Sequence, residues 1–135
     1  LIAERDFQDQ DLLGVDVARR DLSGLLATGA ILRNAVFTGC QLTNASFDGA
    51  NLSNAHFVLA WLTDASFSHA DCEGASFRGA DLRRADFEDA SLLAATFTPD
   101  TILDGSTKIS PQQIDSLLPD EARFVSQAIG YSGRS

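Results

Sequence analysis

Cys40, Cys72, His56 and His69 are the only cysteines and histidines in the chain. Two thiols and two imidazoles have the composition of a structural zinc site, which needs four ligands converging tetrahedrally. Either histidine is also a candidate general base for a thiol or a serine, oriented by one of many aspartates. Serine and aspartate are abundant, so residue type alone selects nothing. Glycines come singly, which excludes a phosphate-cradling loop. Whether any of these side chains meet depends on the backbone that carries them.

That backbone has a five-residue rhythm. From Ala30 to Ala95 every fifth residue is alanine, except Cys40. Two residues after each comes a larger apolar residue, in the series Phe7, Leu12, Val17, Leu22, Ala27, Leu32, Phe37, Leu42, Phe47 and on to Phe97. A period of five matches neither a helix nor a long strand. Residues two apart share a face of an extended segment, so each repeat is a very short strand pointing one small and one large side chain inward. The residue between them points outward, and the remaining two turn a corner.

Corner composition agrees. Two positions after the large residue stand Gly14, Gly24, Gly29, Asn34, Gly39, Asn44, Gly49, Asn54, Gly74 and Gly79. A type II turn needs positive φ at that place, which glycine and asparagine accept; Asp9, Asp64 and Asp89 tolerate it. Arg19, Leu59, His69, Arg84 and Ala94 suit it less, and another turn type is expected there. Phe and Leu alternate as the large residue, so an even number of repeats makes one coil. Two leave no interior. Four give a square coil with Phe ladders on two opposite walls and Leu ladders on the others.

Ala50-Asn51-Leu52-Ser53-Asn54 and Ala80-Asp81-Leu82-Arg83-Arg84 resemble the A-(D/N)-(L/F)-x-x pattern of the pentapeptide repeat family. The resemblance covers residues 5–98. It implies an all-β solenoid, a right-handed quadrilateral β-helix of about five coils, with the handedness taken from the family. At about 4.8 Å between stacked strands the rod is about 24 Å long. Some family members resemble duplex DNA in shape and charge and bind type II topoisomerases, and some pair through C-terminal segments.

The pattern weakens at both ends. The first coil has Arg5, Gln10, Val15 and Arg20 at the small inward positions, so it is expected to be distorted or open to solvent. Asp6, Asp11, Asp16 and Asp21 form its outward ring, either pairing with the arginines or marking an acidic rim. At Leu25 and Ala27 the sizes are exchanged with volume kept, which predicts local repacking. After Thr101 the period vanishes. Ser110-Pro111-Gln112-Gln113 reads as a capping box with proline at the first helical position. A second helix starts at Pro119 and stops at Gly130. Ile114, Leu117, Leu118, Ala122, Val125 and Ile129 fall at helical spacing, forming a lid over the last rung or, as in some family members, a dimer contact. The expected division is 1–100 for the β-helix and 101–135 for an α-helical cap and tail.

The repeat separates the chemistry-bearing residues. Cys40 and Cys72 hold inward positions on opposite walls of different coils, too far apart to bridge. His56 points outward and His69 sits on a corner. Serines and aspartates are mostly outward repeat residues. Asn44-Ala45-Ser46 and Asn51-Leu52-Ser53 match glycosylation sequons, but the repeat itself generates them. The expectation is a protein without catalysis, cofactor or metal, its interior filled by side chains.

Function then rests with the surface, where outward positions are mainly Ser, Thr, Asp, Asn or Arg. Val58, Leu59 and Trp61 break that rule, with Val36 one coil earlier on the wall of Val58 and with Leu26 and Ile31 nearby. An exposed tryptophan among aliphatics has the makings of an interface anchor. Net charge of −9 argues against direct nucleic-acid binding, and no run reaches the roughly 18 apolar residues of a membrane span. The expected function is a protein-interaction module or scaffold, a domain of a larger protein such as a secretion adaptor or effector. Its partner is another protein or a second copy. The alternative is a DNA mimic that binds a type II topoisomerase. The start at Leu1 suits a processed chain or a piece of a longer one. No signal peptide is expected, so a cytoplasmic setting is anticipated, with secretion as an effector the alternative.

Overall fold

The computed structural model describes residues 5–131; the first four residues of the 1–100 segment and the last four of the 101–135 segment lie outside them. From Asp6 to Ser76 each outward residue forms a parallel bridge with the one twenty positions later. Wall 1 runs Asp6–Leu26–Ser46–Ser66–Asp86 and wall 2 runs Asp11–Ile31–Asn51–Asp71–Ser91. Wall 3 runs Asp16–Val36–His56–Ser76–Thr96 and wall 4 runs Asp21–Gln41–Trp61–Asp81. Coils 1 to 4 are therefore 5–24, 25–44, 45–64 and 65–84, and coil 5 begins at residue 85. The fold is a right-handed quadrilateral β-helix.

Three hydrogen bonds per repeat join successive coils, as where Phe37 N–H donates to His56 O (2.8 Å), Gly39 N–H to Val58 O (2.9 Å) and His56 N–H to Ala35 O (2.9 Å). A fourth closes each corner, as from Ala60 N–H to Phe57 O (3.1 Å). One turn N–H per repeat lacks a backbone acceptor, and outward Asp or Asn supplies one. Asp71 Oδ1 accepts from Glu73 N (3.1 Å) and Asn51 Oδ1 from Ser53 N (3.1 Å). The first-coil aspartates do the same for Gln8, Leu13, Ala18 and Ser23. Of those four, Asp21 also pairs with an arginine, Arg5 at 3.6 Å.

The corners correct one expectation. Arg19, Leu59, His69, Arg84 and Ala94 have φ of 65°, 60°, 59°, 61° and 58°, as Asn34 does at 60°. A non-glycine residue there costs about 1–2 kcal/mol. The corner bond and the N–H bonds of these residues, to the next coil for Arg19, Leu59 and His69, to Ser106 Oγ for Arg84 and to Ser116 O for Ala94, over-determine the backbone, so tertiary structure overrides local preference.

Inside, Phe37, Phe57, Phe77 and Phe97 stack on wall 3, with centroids 5.1, 5.3 and 5.6 Å apart. On wall 1 Phe47, Phe67 and Phe87 stack at 5.2 and 4.7 Å. The two ladders meet edge to face, as for Phe57 and Phe67 at 5.6 Å and 90°. Offset edges against faces suit the ring quadrupole. Leu25 and Ala27 are both fully buried, so the exchange of sizes repacks without a gap to solvent.

The first coil keeps its full ladder, so it is open to solvent but not distorted. Arg5, Gln10 and Arg20 are exposed and Val15 is half-buried. Arg5 Nη1 and Nη2 donate to Ser23 O (3.2 Å) and Asp21 O (3.3 Å). Within the stack such carbonyls take N–H groups from the preceding coil, so the guanidinium satisfies edge acceptors.

At the other end the period stops but the wall does not. Asp81 bridges Ile102 and Asp86 bridges Lys108, so each corner has gained a residue. Thr101 and Thr107 take the small inward place and are buried. Thr101 Oγ1 donates to Phe77 O (3.0 Å) and accepts from Gly79 N (3.1 Å); Thr107 Oγ1 donates to Leu82 O (2.8 Å). Helix α1, Pro111–Asp115, starts with the Ser110–Gln113 capping box, and α2, Pro119–Ile129, ends at Gly130 with φ 81°. Gln113 Nε2 donates to Phe87 O (2.6 Å) and Ala90 O (2.8 Å), tying α1 to the last coil. Ile114, Leu117 and Val125 are buried and Ile129 is half-buried against the core. Leu118 is an exception, 54% exposed, because it is the N-cap of α2 and not part of its inner face. Phe124, missed in the sequence pattern, is partly buried against the core.

Candidate interaction surface

The square section scatters the residues that would do chemistry. Cys40 and Cys72 are free, buried and on walls 4 and 2. Burial pushes both thiols up from their ordinary range, away from the reactive thiolate. His56 is exposed on wall 3, and His69 is on a corner between walls 1 and 2 with Nε2 3.6 Å from Asp89 Oδ2. Among the described residues no group of three or more His, Cys, Asp or Glu is placed to hold a metal ion. No described helix is long and apolar enough to cross a membrane. A groove open to solvent lies where wall 1 of coil 5 meets α1, lined by Asp86, Glu88, Asp89, Lys108, Gln112 and Gln113. It had no signal in the linear pattern, because residues 86–90 and 108–113 line it together only once the chain has folded.

The edge between walls 3 and 4 is different in character. Leu59, on that corner, is 58% exposed and Trp61, starting wall 4, is 50% exposed. Val36 and Val58 flank them and are half-buried, less open than their outward positions suggest. The corner column is Arg19, Gly39, Leu59 and Gly79, and side chains in it lean toward the next coil. A β-carbon on Gly79 would sit 2.7 Å from Leu59 Cδ2, and one on Gly39 would sit 3.4 Å from Arg19 Cγ. Leu26 and Ile31 are exposed on walls 1 and 2, round the corner. Ile102 is exposed on wall 4, two coils beyond Trp61. Between them lies Asp81, 7% exposed. Burial pushes its carboxyl up, but Arg83, through side chain (3.0 and 2.6 Å) and N–H, outweighs that and holds it below the usual range.

Charge divides along the rod. Walls 1 and 2 of coils 1 to 5 carry Asp6, Asp9, Asp11, Asp48, Asp71, Glu73, Asp86, Glu88 and Asp89 against Arg5 and Arg33. Walls 3 and 4 of the same coils carry Asp16, Asp21, Asp64, Asp81, Asp100 and Asp104 against Arg19, Arg20, Arg78, Arg83 and Arg84. Acid therefore gathers on one side and the Trp61 edge lies on the other. Even the acidic side is interrupted at coil 2, where Leu26, Ile31 and Arg33 face solvent.

A square coil of stacked five-residue turns defines a solenoid repeat protein. The family model described as pentapeptide repeat region matches residues 30–106. The chain belongs to the pentapeptide repeat family. A pentapeptide repeat protein of the Arabidopsis thaliana thylakoid lumen is similar at 30% identity over 81% of this chain and 74% of its own, with a TM-score of 0.64. HetL, involved in heterocyst differentiation regulation in the cyanobacterium Nostoc, is similar at 26% identity over 67% of this chain, with a TM-score of 0.65. The match spans 38% of the HetL chain. QnrB1, a plasmid-mediated fluoroquinolone resistance protein, aligns at 22% identity over 73% of this chain and 57% of its own, with a TM-score of 0.44, a likeness that supports no functional argument. No curated protein matches at a significant level.

Proposed function

We propose that the protein is a non-catalytic interaction module, a rod whose wall 3–wall 4 edge, with Val36, Val58, Leu59 and Trp61, docks another protein. Leu59 carries this reading. It occupies the left-handed region at φ 60°, which costs a branched side chain about 1–2 kcal/mol. It also leaves apolar surface in water, 58% exposed beside the sole tryptophan. Gly or Asn relieves both penalties and stands at many equivalent corners. A residue unfavourable on both counts, next to an exposed aromatic, supports retention for contact. A regulatory setting like that of HetL, or a place in a larger adaptor or effector, is compatible with such a surface.

The test is a pull-down with the protein as bait, comparing wild type with Leu59→Asn and Trp61→Ala at equal thermal stability. Loss of the same captured partner in both variants supports the reading; unchanged capture removes it. The carboxylates of walls 1 and 2 favour a second reading, a duplex-DNA mimic acting on a type II topoisomerase. The interruption at coil 2 and a rod of about 24 Å weigh against it. Inhibition of gyrase supercoiling by the purified protein would decide for the mimic.

A further inference from the structure

We propose that the segment docked on the wall 3–wall 4 edge is apolar at its centre and flanked by carboxylates on both sides. This rests on the docking role of that edge given above. Arg5, Arg83, Arg84, Lys108 and Arg123 each pair with a carboxylate. Among the described residues Arg19, Arg20, Arg33 and Arg78 form no such pair, and three of those four border this edge. Arg19 takes the corner of coil 1, its stem running up over Gly39 toward Leu59. Arg20 follows it at the start of wall 4 and is exposed. Arg78, also exposed, stands one coil above Val58, its carbonyl accepting from Leu59 N (2.9 Å). Between these cations coils 2 and 3 bear one carboxylate on walls 3 and 4, Asp64, already held by Arg84 at 3.0 Å.

Exposed arginines thus bracket the apolar band, Arg19 and Arg20 beside Asp16 and Asp21, which cap the N–H groups of Ala18 and Ser23, and Arg78 near Asp100, which accepts from the Thr98 hydroxyl. Arg19 and Arg78 are three coils apart, about 14 Å at ~4.8 Å per coil, which about four extended residues span. A segment with acidic ends and a Leu- or Phe-like centre complements it in charge and length. The acidic walls 1 and 2 repel the same segment, so charge selects the side it meets. A second copy fits worse. Two-fold pairing along the edge sets Arg19 and Arg20 against Arg78 when the rods are antiparallel, and each arginine against itself when they are parallel. Either way cation faces cation, while Asp16 and Asp21 hold the N–H groups of Ala18 and Ser23.

Trp61 is the only tryptophan, so its emission reports the site directly. The probes are two peptides with a Leu-Phe-Leu centre, one flanked by paired glutamates and one by paired lysines, titrated into the whole chain. The glutamate peptide is expected to bind about tenfold tighter, with most of the difference lost in ~0.5 M salt. Joint Arg19→Glu and Arg78→Glu substitution, on exposed residues, should reverse the order without moving the melting temperature. Equal or tighter binding of the lysine peptide overturns this inference and leaves the docking reading standing. If neither peptide perturbs Trp61, the docking reading falls and this inference with it. Sedimentation showing a dimer that Leu59→Asn dissociates overturns it in favour of a second copy.

Discussion

Replacing Phe67 by alanine tests the stacked interior at its most constrained point. Phe67 is fully buried on wall 1. Its ring lies 5.2 Å from Phe47 and 4.7 Å from Phe87 in the ladder, and meets Phe57 and Phe77 edge to face at 5.6 and 5.7 Å. Truncating a buried phenylalanine costs about 3–5 kcal/mol in transfer and cavity terms, and each aromatic pair adds about 0.5–1.5 kcal/mol beyond area. Coils joined by ladder bonds above and below cannot collapse into the gap, so the upper part of that range is expected. At about 3–5 °C per kcal/mol for a chain of this size, the melting temperature should fall by about 12 °C or more. Phe97 has one stacking partner, Phe77 at 5.6 Å, and lies near the end of the ladder. Phe97→Ala should therefore cost less than Phe67→Ala. Thermal melts followed by far-ultraviolet circular dichroism, with both variants side by side, give the comparison. An unchanged melt for Phe67→Ala, or a larger loss at Phe97, would refute the account of the core.

Leu59→Asn should leave the melting temperature unchanged or slightly higher, because strain relief offsets lost contact with Gly79; destabilisation beyond about 1 kcal/mol would contradict a strained contact residue. Thr101→Val removes the bond to Phe77 O, the acceptor for Thr98 N and one of the two hydroxyl acceptors of Gly79 N, so chemical denaturation should show a loss of about 1–3 kcal/mol. Arg83→Gln should lower stability at neutral pH by leaving Asp81 under-paired. Asp81 has its folded pKa lowered, so its contribution is present above the ordinary carboxylate range and lost as pH falls through the folded value. The gap between variant and wild type should therefore close below about pH 4, read from melts across a pH series; a gap that widens in acid would refute the pairing.

Much of the architecture is local and was open to reading in the linear chain. Small and large inward residues two apart, a corner every five residues and the alternation of Phe with Leu specify a square coil, because each of these rules acts within one or two repeats. Ser110, Gln113 and Gly130 mark helix ends for the same reason: their bonds lie within a few residues. Where contacts between coils decided the outcome, the chain alone misled. Arg19, Leu59, His69, Arg84 and Ala94 adopt a conformation they do not favour, since bonds to residues far along the chain, in adjoining coils or in the Ser106 and Ser116 turns, hold them there. The wall persists to Lys108 because Thr101 and Ser106 hydroxyls accept the corner N–H groups of Gly79 and Arg84 after the spacing has slipped. Leu118 faces water and Phe124 the core, a distinction set by how α2 meets the last rung.

The site divides in the same way. Val58, Leu59 and Trp61 are neighbours in sequence, so an apolar break in a polar skin could be seen directly. Arg19 and Arg78 come to bracket that break only once the chain has wound through three coils, and the gathering of acid on walls 1 and 2 follows from which ten residues of each twenty face that side. Residue chemistry and short-range geometry thus settled the tube and its exposed aromatic. The pitch of the helix, a property of stacked coils and not of any repeat, decided which charges stand beside it.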